Sequence, residues 1–284
     1  MKTVPLPSGD SMPALGLGTW RLGESAARRP AEVAAMRHAI ELGYRLFDTA
    51  EMYGEGGAET VLGEALRGAI DAGEVRRDEL FIVSKVYPHN ASRRGAVAAC
   101  ERSLSRLKLD HIDLYLLHWR GAHPLAETLQ AFEALQAAGR IGRWGVSNFD
   151  LADLRELESV AGGTQCATNQ VWYSAAQRGV EFELLPAQRE RGMPLMAYSP
   201  IDQAALARHG ALQAIGRRLG ASAAQVALAW ELRGSGVVAI PKAVTPAHLR
   251  DNLAAAALTL DAAAREEIDR AFAPPRRKVA LAMN

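Results

Sequence analysis

The sequence predicts a closed (β/α)8 barrel, the TIM-barrel class of α/β fold, with an N-terminal β-hairpin and extra helices late in the chain. Three observations carry that expectation. Short apolar runs alternate with longer segments of helical period, which is the signature of βα units on a parallel sheet. There are eight such runs. The length of 284 residues lies close to the roughly 250 that such a barrel typically needs. The same length would admit two ordinary domains, and on alternation alone a doubly wound sheet stays open. No Ser/Gly linker, composition shift or internal repeat divides the chain, so one barrel domain over residues 1–284 is the expected organisation.

In chain order, a hairpin is expected over residues 4–13, with Ser8, Gly9 and Asp10 at its tip. Strands are expected near 15–18, 45–48, 80–84, 112–118, 141–146, 167–170, 195–198 and 237–241. Helical periodicity falls near 30–42, 58–72, 95–107, 125–138, 151–159, 179–191 and 206–219. A further helix near 222–232 precedes the eighth strand, and helices near 246–255 and 261–271 follow it. Several of these carry start signals. Ser222 reads as an N-cap with Gln225 three residues on, and Pro246 follows Thr245.

Composition excludes several functions. Lys and Arg number 33 against 32 Asp and Glu, so no net field draws the chain to nucleic acid or an anionic membrane. Short basic pairs such as Arg28 with Arg29, and Arg76 with Arg77, read as solvated faces. Only five of the basic residues are Lys, which makes Lys85 and Lys242 more informative. The two cysteines, Cys100 and Cys166, show no metal or CxxC spacing and read as inert core thiols in a reducing compartment. No apolar run approaches the roughly 18 residues of a membrane span. The first residues lack the apolar core of a signal peptide. A soluble, cytoplasmic, monomeric protein without a metal is expected.

The strand ends carry the functional information. In such a barrel the active site is built at the carboxyl ends of the strands, which here read Asp48, Lys85, His118, Ser147 with Asn148, Gln170, Tyr198 and Lys242. Any one of these alone reads as a cap or turn residue. Seven in succession do not, because strands facing a packed core have little other use for Lys and Gln. Tyr53 lies five residues beyond Asp48. A free phenol has a pKa of about 10 and is a poor acid at neutral pH unless a neighbouring cation stabilises its phenolate. Lys85 and His118 are placed to do so, and Asp48 to hold Lys85.

The motifs GTW from Gly18, GYRLFDTAEMYGEGGAE from Gly43, SKVYP from Ser84, DLYLLHW from Asp113, GRWGVSNF from Gly142, NQVWY from Asn169, MAYSP from Met196 and AIPKAVTPAHLRDN from Ala239 resemble an aldo-keto reductase over nearly the whole chain. YGEGGAE and KVYP look most like a bacterial branch associated with small reactive aldehydes such as methylglyoxal. The resemblance implies NADPH-dependent reduction of small aldehydes, 2-oxoaldehydes and ketones by hydride transfer, with NADH also possible. It implies a catalytic set of Asp48, Tyr53, Lys85 and His118, with Tyr53 as general acid. The implied cofactor residues are Thr19, Trp20, Ser147, Asn148, Gln170, Tyr198, Ser199, Pro200, Ile201, Lys242, His248 and Asn252. Ser147, Asn148 and Gln170 would bond the nicotinamide carboxamide, and Tyr198 would stack on its ring. Trp20, Tyr87, Trp119 and Trp172 would line the substrate pocket. Ala243 and His248 depart from the family's usual Ser and Arg around the adenosine 2′-phosphate, which weakens the implied discrimination against NADH. Short loops imply an open pocket, and the role of residues 274–284 stays open.

Three rival readings are weighed. A Schiff-base aldolase would need Lys85 in a dry or cationic site, whereas Asp48 opposes a depressed pKa. A metal hydrolase built on Asp48, Glu51 and His118 lacks a second His at ligand spacing. A cofactor-binding regulatory or redox-sensing subunit on the same fold is the alternative function.

Overall fold

A computed structural model describes residues 2–283. Strands β1 (Thr3–Pro5) and β2 (Ser11–Pro13) form the antiparallel N-terminal hairpin. Eight parallel strands follow: β3 (Leu17–Gly18), β4 (Leu46–Asp48), β5 (Phe81–Val86), β6 (Ile112–Leu117), β7 (Ile141–Ser147), β8 (Asn169–Trp172), β9 (Leu195–Tyr198) and β10 (Val237–Ala239). They pair in sequential order from β3 to β10. Parallel bridges between Leu15 and Ala239 and between Gly18 and Lys242 then join the two ends. The expected barrel is therefore present and closed.

Outside the strands lie α1 (Arg29–Leu42), α2 (Gly57–Asp71), α3 (Arg93–Leu107), α4 (Leu125–Ala137), α5 (Leu151–Ser159), α6 (Leu184–Glu190), α7 (Gly210–Leu219) and α8 (Ala223–Glu231). Helices α9 (Pro246–Ala255) and α10 (Ala262–Ala271) close the chain. Ser222 caps α8 in a reciprocal box with Gln225, as its sequence predicts. Thr245 caps α9 ahead of Pro246.

Two expected helices start late. The segment expected as a helix over 179–191 has a single 3-10 turn at Gly179–Glu181, a break at Glu183 and then α6. Pro186 gives the reason: a proline is tolerated only in the first turn of a helix, because its ring clashes with the carbonyl four residues back. The helix expected over 206–219 likewise has a 3-10 turn at Leu206–Arg208, an extended His209 and then α7. His209 stacks against Phe272 of the segment after α10, with ring centroids 4.5 Å apart.

Strand parity positions the site. Side chains alternate across a strand, so Leu46, Val83, Leu114 and Leu116 pack inside the barrel while Phe47, Ile82, Tyr115 and Leu117 pack against the helices. The same alternation turns Asp48, Lys85 and His118 inward at the carboxyl end. The hairpin plugs the other end, where Val4, Leu6 and Met12 join the interior cluster. An ion pair from Arg143 to Asp10 ties its tip to β7.

One core residue breaks the pattern without serving the site. Glu231, at the end of α8, is only 1% exposed, and neither carboxylate oxygen has a described partner. Burial pushes its carboxyl well above the usual range, with Arg233 opposing. The folded state therefore holds a proton that the unfolded chain releases above about pH 4.3, and stability falls as pH rises beyond that value. Glu231→Met is expected to stabilise the protein by about 1–3 kcal/mol near neutrality. In thermal melts the gain should widen from pH 4 to pH 8, and a gain independent of pH would contradict this account.

Candidate active site

Lys85 lies at the centre of the inward-facing cluster. Its ammonium donates to Asp48 Oδ2 at 2.7 Å, to the carbonyl of Thr49 at 2.9 Å and to the Tyr53 hydroxyl at 3.3 Å. Lys85 and Asp48 are almost wholly buried. The Asp48 carboxylate is held from its other side by Gln170, whose Nε2 donates to Oδ1 at 2.7 Å. Thr19 ties the ends of β3 and β4 together, its hydroxyl donating to the Asp48 carbonyl at 3.0 Å.

The residues after Tyr53 explain how a tyrosine outside any strand is held. Gly54, Glu55 and Gly56 all have positive φ, at 56°, 52° and 88°, where glycine is favoured. A Cβ on Gly54 would lie 2.8 Å from the Leu22 carbonyl, so this loop also packs too closely against the one after β3 to admit a side chain. The Tyr53 ring meets His118 edge-on at 5.7 Å, and the Lys85 ammonium lies 4.9 Å from its centroid.

The electrostatics correct one expectation. The sequence suggests a phenol acidified by its neighbours, but burial, reinforced by the Asp48 charge, raises the Tyr53 pKa well above 10. The resting phenol keeps its proton. Burial also lowers the Lys85 pKa, against the raising influence of Asp48 and then Glu59. His118 is driven well below the usual imidazole range by burial and then by the Lys85 charge, so it is neutral. Its Nδ1 is buried without a described partner.

Asp48, Tyr53 and His118 open onto a cavity of about 540 Å³, while Lys85 does not line it and lies buried behind them. The cavity wall includes Trp20, Asp48, Tyr53, His118, Trp119, Ser147, Asn148, Gln170, Tyr198, Ser199, Pro200, Ile201 and Lys242. Asn148, in a left-handed conformation with φ of 59°, donates to the His118 carbonyl and to Ser147 Oγ and accepts from the Tyr198 hydroxyl at 2.9 Å. Its amide is therefore engaged within the protein. Thr19, Tyr87, Trp172, His248 and Asn252 do not line this cavity. Tyr87 packs edge-on behind Trp119, centroids 5.5 Å apart. Trp172 instead borders a small depression under residues 278–282. His248 is exposed on the first turn of α9, while Asn252 is buried one turn on.

Sequence reasoning missed Arg21, Met52, Gln203, Ala204, Ile240 and Met283, all of which line the cavity. Gln203 and Ala204 belong to a run with Asp202 in which three non-glycine residues have φ between 49° and 73°, a conformation that no sequence signal announces. Met283 is brought there by the tail. Lys278 pairs with Glu183 at 2.6 Å, Val279 packs over Gly179, and the chain then turns to the cavity. Among the described residues no cluster of metal-binding side chains occurs, and no helix is long and apolar enough to cross a membrane.

Comparison with known proteins identifies relatives of the chain. Methylglyoxal reductase YeaE of Escherichia coli is 51% identical over 282 residues, 97% of each chain. An uncharacterized oxidoreductase of Bacillus subtilis, YtbE, is 36% identical over 87% of this chain and 84% of its own. The crystal structure of an aldo-keto reductase from Klebsiella pneumoniae in complex with NADPH superposes with a TM-score of 0.94 at 46% identity, covering 100% of this chain and 99% of that one. Residues 14–273 match the aldo/keto reductase family, and the chain belongs to that family.

Proposed function

We propose that this enzyme reduces small aldehydes, 2-oxoaldehydes and ketones to alcohols with NADPH, Tyr53 acting as general acid. The observation that carries the reading is buried Lys85 Nζ held between Asp48 Oδ2 at 2.7 Å and Tyr53 OH at 3.3 Å, behind a cavity that Asp48, Tyr53 and His118 line. The cavity suits the cofactor. Its lining combines Gln170, Asn148 and Ser147 with Tyr198 and Lys242, so polar groups for a carboxamide and a cation for a phosphate border one cavity. When bound, the nicotinamide supplies hydride to the carbonyl carbon.

The protein's part is to position the carbonyl and deliver a proton. The neutral His118 donates a hydrogen bond to the carbonyl oxygen and orients it. The Tyr53 hydroxyl approaches the same oxygen. As charge builds there, the oxygen becomes an alkoxide, a far stronger base than a phenolate, and it takes the Tyr53 proton. A raised phenol pKa in the resting site is compatible with this, because the proton leaves only when the alkoxide forms. Lys85 then balances the phenolate, and Asp48 keeps Lys85 charged and in place. Trp20, Trp119, Met52 and Met283 supply an apolar wall that limits water around the developing charge.

The methylglyoxal reductase activity in the name of the Escherichia coli relative supports a 2-oxoaldehyde as the first substrate to test. Burial lowers the Lys242 pKa, with Glu32 opposing and Arg28 and then Arg21 adding to the fall; a lysine with two arginines near it supports NADPH over NADH despite Ala243 and His248. Oxidation of NADPH and NADH should be followed against methylglyoxal, an aromatic aldehyde, a sugar and a steroid ketone. The expected result is broad activity on the small aldehydes with NADPH favoured. A strong preference for the steroid ketone would overturn the substrate class, and equal kcat/KM for the two cofactors would overturn the cofactor preference.

A further inference from the structure

We infer that Gln170 is a positioning residue for proton delivery, acting through Asp48, in addition to any contact it makes with the cofactor. The inference rests on the reading of Asp48, Lys85 and Tyr53 just given. Asp48 is 2% exposed, and its two carboxylate oxygens are divided between two donors. Lys85 Nζ takes Oδ2 and Gln170 Nε2 takes Oδ1, each at 2.7 Å. Gln170 comes from β8, on the far side of the barrel from β4 and β5, so its amide braces the pair from across the interior. The amide is itself constrained. Gln170 is 1% exposed, packs its Nε2 near Met196 Sδ at 3.9 Å, and lies on a strand paired on both sides.

The consequence is electrostatic as well as steric. Lys85 is buried, which favours its neutral form, and the carboxylate fixed within hydrogen-bond distance is the main influence offsetting that, ahead of Glu59. A carboxylate anchored at both oxygens cannot rotate away from the ammonium. Removing the Gln170 donor frees Oδ1, loosens the contact at Oδ2 and lets Lys85 lose its proton at lower pH. Tyr53 would then transfer its proton without a cation to receive the phenolate charge. Gln170 also lines the cavity, so whatever occupies the cofactor site shares a side chain with the proton donor's support.

The test uses Gln170→Leu, which removes the donor at similar volume, and Gln170→Glu, which restores a donor only while protonated. The parent's NADPH-dependent reduction of methylglyoxal is measured first. An inactive parent would refute the proposed function itself and is thereby distinct from failure of the present inference. At saturating NADPH, Gln170→Leu is expected to lower kcat by about 10-fold or more and to move the alkaline limb of the kcat profile to lower pH. Gln170→Glu should retain kcat at acidic pH and lose it as pH rises. In an Asp48→Asn background, Gln170→Leu should cost no further kcat, because the residue it acts through is already altered. A higher KM for NADPH with kcat and its pH profile unchanged, or full additivity with Asp48→Asn, would overturn the inference and leave Gln170 a cofactor ligand only.

Discussion

Replacing Tyr53 by Phe is expected to lower kcat for aldehyde reduction by at least about 10²-fold while NADPH still binds. General acid catalysis is typically worth about 10² to 10⁴ in rate, and a factor of 10² corresponds to about 2.7 kcal/mol of barrier. The substitution removes one hydroxyl. That hydroxyl is bound by Lys85 at 3.3 Å, the longest of the three contacts the ammonium makes, and Lys85 retains Asp48 and the Thr49 carbonyl. The buried pair therefore survives, the fold is unaffected, and the loss reports chemistry. His118 can still orient the carbonyl, so the variant should show a large fall in kcat with a modest change in KM. Steady-state rates with methylglyoxal at saturating NADPH, together with cofactor binding by fluorescence, measure both quantities. Turnover near that of the parent would remove Tyr53 from its role.

The barrel was legible because each strand is short, apolar and bounded by turn residues, and because parity then fixes which side chains face inward. Asp48, Lys85 and His118 follow from that parity alone. Hydrogen-bond partners were not legible in the same way. The motif around Asn169 marks Gln170 as important, but nothing in a linear pattern says that its amide spans the barrel to Asp48. Trp172 shows the limit of arguing from neighbours in sequence: it follows a strand end beside Gln170, yet it borders a different depression under the tail. Pro186 was the one missed local signal, since its ring forbids the continuous helix that apolar periodicity suggested. The direction of the Tyr53 shift was misjudged from sequence, because neighbouring cations and burial act in opposite directions and only the structure weighs them.

Asp48→Asn is expected to damage stability and catalysis together, with opposite dependence on pH. Removing one partner of a buried ion pair leaves an uncompensated charge, at a cost of about 3–5 kcal/mol. At roughly 2–4 °C per kcal/mol for a domain of about 150–250 residues, the melting temperature should fall by about 10 °C. Lys85 is fully buried, and burial already lowers its pKa with Asp48 as the main opposing influence. Without that carboxylate the folded state sheds the Lys85 proton more readily than the unfolded chain does. The unfolded state then binds more protons, so stability rises with pH and the deficit shrinks on the alkaline side. Catalysis moves the other way. A neutral Lys85 cannot balance the Tyr53 phenolate, so the alkaline limb of kcat should shift to lower pH and activity should fall where stability recovers. Combining Asp48→Asn with Lys85→Met removes the buried charge altogether and should restore much of the stability without restoring turnover. Thermal melts and kcat profiles on the same preparations across pH separate the two effects. A variant that melts with the parent and keeps the parent's alkaline limb would show that Asp48 does not hold Lys85 in its charged form.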